Sequence, residues 1–407
     1  MTADAVVRGR VRPGWEAVRD AFAHGQADDP GAAQLAVHHH GRQVADLWTE
    51  GKAPTVAARP FGPDSITVLM SVTKGLTAVC AHLLRERGLL DLRAPVARYW
   101  PEFAAAGKSE TTVTDLLAHR AGLPAFTDDA AGVGLPGLLD GDARVGALAA
   151  MRPVWEPGTA YLYHALTYGH LIGEVVRRVT GTSIGAFFAR EVAGPLRLNL
   201  WMGLPRSAED RFVPQFAVRP APSAEQIDAA VGGLGLAPGD RLASALRASA
   251  GELAAALEAF GTRRGRACEI PAAGGIGDAR SLSRLYAALI GEVDGIRLLS
   301  APAVDRARAP HTDHLSPPRR LRRSDGPDRS RFGLGFELPR PGEPLLGEGS
   351  FGHAGAGGRL GMAHPESGLA VGYVCTAMAW EPSAGPDPRW TPWSAAVREA
   401  AAGADRA

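Results

Sequence analysis

Strand-like patterning lies at the two ends of this chain and helical patterning fills its middle, so a sheet here must be assembled from segments far apart in sequence. Residues 33–48 alternate apolar and polar side chains around His40-Gly41-Arg42, a hairpin signal, with Leu35 and Val37 before the turn and Val44 and Leu47 after it. A short strand is expected over 66–70, and strand character returns at 331–338 and 369–376, before a last helix over 393–401. Between them, helical segments at 113–120, 143–151, 167–180, 242–260 and 281–289 are joined by Pro/Gly-rich loops. The expectation is one α/β (α+β) domain over 1–407, with a sheet-containing part at about 1–90 and 286–407 and an all-helical insertion at about 91–285.

The clearest helix follows the 66–70 strand. Leu76, Val79, Cys80, Leu83 and Leu84 fall on one face, Ser71 stands at the N-cap position, and Gly88 is placed to stop the helix. Its first turn reads Ser71-Val72-Thr73-Lys74, which sets a hydroxyl and an amine one turn apart on the same side. A serine is a weak nucleophile until its proton is removed, and an amine can remove it only when neutral. Arginine cannot substitute, because it does not deprotonate in proteins. Of 44 basic residues only three are lysines (Lys52, Lys74 and Lys108), so a lysine kept at this position stands out. By itself the tetrapeptide is a weak signal, since capped helices with an early lysine are common.

Further blocks make the pattern specific. Ser71-Val72-Thr73-Lys74-Gly75, Arg87-Gly88-Leu89-Leu90-Asp91-Leu92 and Leu116-Leu117-Ala118-His119-Arg120-Ala121-Gly122-Leu123 resemble successive segments of the serine β-lactamase-like superfamily, in particular the bacterial esterases related to class C β-lactamases. The likeness runs from about residue 15 to about residue 380. It implies the penicillin-binding-protein fold, an antiparallel sheet flanked by helices, and acyl transfer through Ser71 with Lys74 as its base.

The resemblance also implies a tyrosine opposite the nucleophile. Tyr163, within Pro157-Gly158-Thr159-Ala160-Tyr161-Leu162-Tyr163-His164-Ala165, occupies that place, with Tyr161 the alternative register. The lactamase-type Tyr-x-Asn is broken by Ala165, and the chain's single asparagine, Asn199, is remote. The third family motif corresponds to His353-Ala354-Gly355, where lactamases carry Lys-Thr-Gly. The implied oxyanion donors are the backbone N–H groups of Ser71 and Ala356, and His353, Gly355 and His164 are the implied substrate contacts. A largely neutral His353 in place of lysine favours neutral esters over carboxylate-bearing substrates. The blocks at 274–280 and 331–336 also resemble the esterase branch, and structural roles around the cleft are expected for them.

Other readings find less support. Residues 355–361 have the wrong spacing for a dinucleotide fingerprint, no Gly-x-Ser-x-Gly elbow occurs, and His311-Thr312-Asp313-His314 offers half a metal site in a loop. His38, His39 and His40 fall at a hairpin turn, where two of the three are expected to be exposed. Six arginines in 316–331 lie among Pro, Asp and Gly, which suggests a solvated loop. Formal net charge is +1, with 45% hydrophobic and 21% charged residues, so no global field points to nucleic acid or a membrane. Three cysteines and the absence of an apolar leader or spanning run lead to the expectation of a reduced, cytoplasmic protein. The expected partner is a small-molecule ester or acyl donor, with no metal or cofactor. The alternatives are a β-lactamase or D-amino-acid peptidase, and a non-catalytic relative that only binds a ligand.

Overall fold

The computed structural model describes residues 5–52, 60–127, 139–237, 239–318, 330–340, 345–379 and 386–406. In chain order its strands are β1 (Arg8–Val11), β2 (Ala33–His39), β3 (Arg42–Thr49), β4 (Thr67–Val68), β5 (Leu200–Met202), β6 (Phe216–Ala217) and β7 (Gly275–Gly277). They continue as β8 (Arg331–Phe332), β9 (Glu337–Leu338), β10 (Phe351–Gly355), β11 (Arg359–His364), β12 (Leu369–Cys375) and β13 (Ala377–Met378). Eight of them form one antiparallel sheet in the order β1-β3-β2-β12-β11-β10-β9-β8. The two ends of the chain meet where β2 pairs with β12, Val37 opposite Val371 and Leu35 opposite Tyr373.

Both faces of this sheet are covered. Leu35, Val37, Val371 and Tyr373 pack with Val18, Phe22, Trp393 and Val397 of the helices Glu16–Gly25 and Trp390–Ala404. Ala36, Ala370 and Val374 face the opposite way, toward Leu282 and Leu285 of the helix Ala279–Ile290. That helix lies so close that a Cβ on Gly372 would stand 2.3 Å from the Ala279 carbonyl oxygen. Double coverage corrects the expectation for the histidines. His38 and His39 are 4% and 8% exposed, and only His40, at the turn, faces solvent. Alternation around a turn signals exposure only when one face of a sheet is open.

The hairpin turn itself is as expected, with His40 and Gly41 both at positive φ (46° and 74°), the geometry of a two-residue turn that matches strand twist. The helix Thr73–Glu86 is buried along its whole length from Thr73 to Leu84 rather than on one face. It ends at Gly88, φ 70°, whose neighbour Leu89 donates to the Leu84 carbonyl. Ser71 is not its cap: a 3-10 turn over Met70–Val72 precedes the helix, Val72 takes the cap position, and no side chain caps it. No described helix is long and apolar enough to cross a membrane. Of the arginine-rich 316–331 segment, residues 319–329 lie outside the described residues, and Arg331 pairs with Asp313.

Candidate active site

A small sheet in the order β4-β7-β5 holds the turn that carries Ser71. Leu69 N–H donates to the Gly275 carbonyl at 2.8 Å. Thr73 Oγ1 accepts from Gly275 N–H at 2.9 Å and donates to the Met70 carbonyl at 2.6 Å. A Cβ on Gly275 would lie 2.6 Å from Thr73 Oγ1, so the 274–280 block supplies a glycine where helix and strand touch. Met70, buried and non-glycine, takes φ 51° just before Ser71, a conformation that costs about 1–2 kcal/mol and must be held by its surroundings.

The Lys74 Nζ lies 3.4 Å from Ser71 Oγ and donates to two backbone carbonyls, Ala165 at 2.7 Å and Ala272 at 3.0 Å. Burial pulls its pKa down to about 7, against a smaller opposing pull from Glu337. This arrangement suits a neutral amine. Two N–H bonds satisfy the two carbonyls, and the lone pair is left for the serine hydroxyl.

Tyr163 comes from the chain just before the helix Thr167–Thr180. Its ring centroid is 4.7 Å from Lys74 Nζ, and the Ser71 hydroxyl hydrogen-bonds its phenol. Burial, reinforced by Glu337, pushes the phenol pKa well above its ordinary value, so the group is a proton donor at neutral pH. Phe332 stacks on the ring at 5.9 Å, and His119 and His353 flank it at 4.9 and 6.0 Å. Tyr161, the alternative register, instead donates its hydroxyl to the Ser330 carbonyl.

The β10 strand brings up the third wall. His353 is 1% exposed, burial lowers its pKa, and its Nδ1 donates to the Ala354 carbonyl at 2.6 Å. Its buried Nε2 has no hydrogen-bond partner among the described residues. Glu337 Oε2, 3.5 Å from His353 Nδ1, accepts the Ala354 N–H at 2.8 Å. After β10, three successive carbonyls are held by buried donors: Ala356 by Arg359, Gly357 by Arg389 and Gly358 by Trp390 Nε1. The Gly355 carbonyl accepts from Gly358 N–H at 2.9 Å. Across a trans peptide the N–H points opposite its carbonyl, so Ala356 N–H faces away from that turn.

Two expected substrate contacts have other occupations. A Cβ on Gly355 would stand 2.5 Å from the Leu69 carbonyl oxygen, so the glycine makes room for the turn that carries Ser71. His164 is fully buried, its Nδ1 donating to Leu162 O and its Nε2 accepting Leu123 N–H, so both ring nitrogens serve the backbone. Phe332 has the structural place beside the cleft expected for its block, whereas His119 and Glu337 sit in the site without any role read from the sequence. His119 lies in a block already noted for its resemblance, and its φ of 59° shows only in three dimensions.

Known proteins fit this picture. A family model described as β-lactamase matches residues 18–391, and the chain belongs to that family. Esterase/β-lactamase LipL of Mycobacterium tuberculosis is 34% identical over 362 residues, covering 84% of this chain and 76% of that protein. A crystal structure of a family VIII carboxylesterase superposes with TM-score 0.78 at 31% identity, covering 97% of this chain and 100% of that one. EstA from Arthrobacter nitroguajacolicus Rue61a does so with TM-score 0.80 at 31% identity, covering 97% of this chain and 99% of that one. The β-lactamase/penicillin-binding-protein fold implied by the motifs is therefore the fold observed, and these similar proteins include enzymes named as esterases.

Proposed function

We propose that this protein hydrolyses carboxylic esters of small molecules through an acyl-enzyme on Ser71. The family and its esterase relatives make it a serine hydrolase, and one observation carries the residue roles: the neutral-amine geometry of Lys74, with both N–H bonds spent on carbonyls and its lone pair left for Ser71. Lys74 takes the Ser71 proton as the hydroxyl attacks the ester carbonyl. Tyr163, kept protonated and hydrogen-bonded to Ser71, passes a proton to the leaving alkoxide and recovers one from the water that clears the acyl group, while Lys74 returns its proton to Ser71 as the acid departs. Ser71 and Ala356 N–H groups stabilise the oxyanion.

His353 shapes substrate choice. A neutral imidazole with a buried, unpartnered Nε2 accepts a hydrogen bond and gives a carboxylate no charge to bind. With Ala165 in place of an amide, this disfavours β-lactams and D-peptides and favours neutral esters. An alcohol or amine could replace water as acceptor using the same residues. Cys80, Cys268 and Cys375 are free thiols, which suits a reducing, cytoplasmic setting.

The test is intact-mass spectrometry after brief exposure to an activated short-chain ester, together with an assay of alcohol release. One acyl adduct or steady release in the wild type, absent from Ser71→Ala, is the expected result. Neither adduct nor release in the wild type, or release retained by Ser71→Ala, would overturn the proposal.

A further inference from the structure

We propose that His39, His40 and Asp405 form a binding site for a divalent transition metal of the zinc type, joining the β2–β3 turn to the end of the C-terminal helix. The Nε2 atoms of both histidines lie 3.2 Å from Asp405 Oδ1, and the three ligand atoms are all within 4.8 Å of one another. Zinc bonds imidazole nitrogen and carboxylate oxygen at about 2.0–2.1 Å, which places tetrahedral ligand atoms about 3.3 Å apart. The two nitrogen–oxygen separations already match that edge.

The histidines are held as ligands rather than as free surface groups. His39 is 8% exposed, and its buried Nε2 faces Asp405 Oδ1 at 3.2 Å. Its ring also hydrogen-bonds the Ser367 backbone, and Trp15 packs against it at 5.4 Å. A backbone carbonyl at the second nitrogen is the usual means of fixing a ligating tautomer, with the Nε2 lone pair left for the metal. Both Nε2 atoms converge on the one Asp405 oxygen, and a cation at that point would bond all three groups at once.

His40 is positioned just as closely. Its N–H donates to Gly368 O at 2.9 Å, and a Cβ on Gly368 (φ 60°) would stand 2.3 Å from His40 Nδ1. The glycine therefore makes room for the imidazole. Three protein ligands leave the fourth position to water.

The site is remote from the chemistry. Gly355 is opposite Arg359, His364 is opposite Leu369, and Leu369 is opposite His39. The five steps from Arg359 to His364 span about 17 Å along the strands. A metal here would anchor the far end of the helix Trp390–Ala404, whose first residue bonds the Gly358 carbonyl beside the site.

Equilibrium dialysis of the full chain against Zn2+, with His40→Gln and Asp405→Asn alongside, tests this. Both substituted side chains are largely exposed (61% and 44%), so both variants should fold. The expected result is one equivalent bound by the wild type at micromolar free zinc. Affinity should fall about tenfold to a hundredfold in each variant, while ester hydrolysis stays unchanged. A wild type that takes up no zinc in this range, or variants that bind as tightly as the wild type, would overturn it.

Discussion

If Lys74 is neutral in the folded enzyme, stability as well as activity must record the missing proton. Burial lowers its pKa from 10.5 to about 7, so between those pH values the unfolded chain binds a proton that the folded chain does not. Folding stability must then rise with pH across this window, by up to about 1.4 kcal/mol per pH unit for this one group. Lys74→Met removes that titration. Its absolute stability is harder to reason about, because the substitution also leaves the Ala165 and Ala272 carbonyls without their donor. The difference between wild type and variant as pH changes avoids the difficulty, since the lost hydrogen bonds do not titrate. Urea unfolding of both proteins at pH 7.5, 8.5 and 9.5 should show the wild type gaining about 2.5 kcal/mol on Lys74→Met across the series. Hydrolysis by the wild type should rise with pH to a plateau above about 7, the value to which Lys74 is lowered. Parallel stability curves would mean that Lys74 keeps its proton in the folded state, and the general-base role would fall with them.

Lys74→Arg should lose about as much kcat/KM as Lys74→Ala, on the order of 100- to 10,000-fold, because a guanidinium cannot accept the serine proton; ester turnover near the wild-type rate in Lys74→Arg would refute this. Tyr163→Phe should lower kcat by about 100-fold or more while the ring keeps its stacking on Phe332; an unchanged kcat would leave proton transfer to another group. A Cβ at Gly75 would stand 2.4 Å from Tyr286 Oη, a buried hydroxyl with no partner among the described residues. Gly75→Ala should therefore cost about 1–3 kcal/mol in urea unfolding, and adding Tyr286→Phe should recover most of it; simple additivity of the two changes would count against this contact.

The proposed catalytic pair could be picked out because its spacing is local. Ser71 and Lys74 are one helical turn apart, and the lysine stands out in a chain where arginine does nearly all the cationic work. The β2–β3 hairpin, the stop at Gly88 and the placing of a sheet across the two ends of the chain were legible for the same reason, each resting on short-range pattern. Two of the three histidines at the turn were expected to be exposed and only His40 is, because alternation reports which face a residue is on, not whether that face is covered. The steric limit at Gly355 was not legible because it is set by Leu69, which is nearly three hundred residues away in the chain.

What the sequence determined by itself is the chemical inventory: a nucleophile and an amine at fixed spacing, a tyrosine in a second block, and a histidine where lactamases have lysine. Tertiary structure decided what those groups can do. It buried Lys74, which pulls its pKa down to about 7, and set the Ala165 and Ala272 carbonyls to accept its N–H groups. It also consumed both ring nitrogens of His164 in backbone bonds and left Nε2 of His353 unpartnered among the described residues. Desolvation and hydrogen-bond partners come from segments distant in sequence, so reactivity emerges only when the chain folds them together.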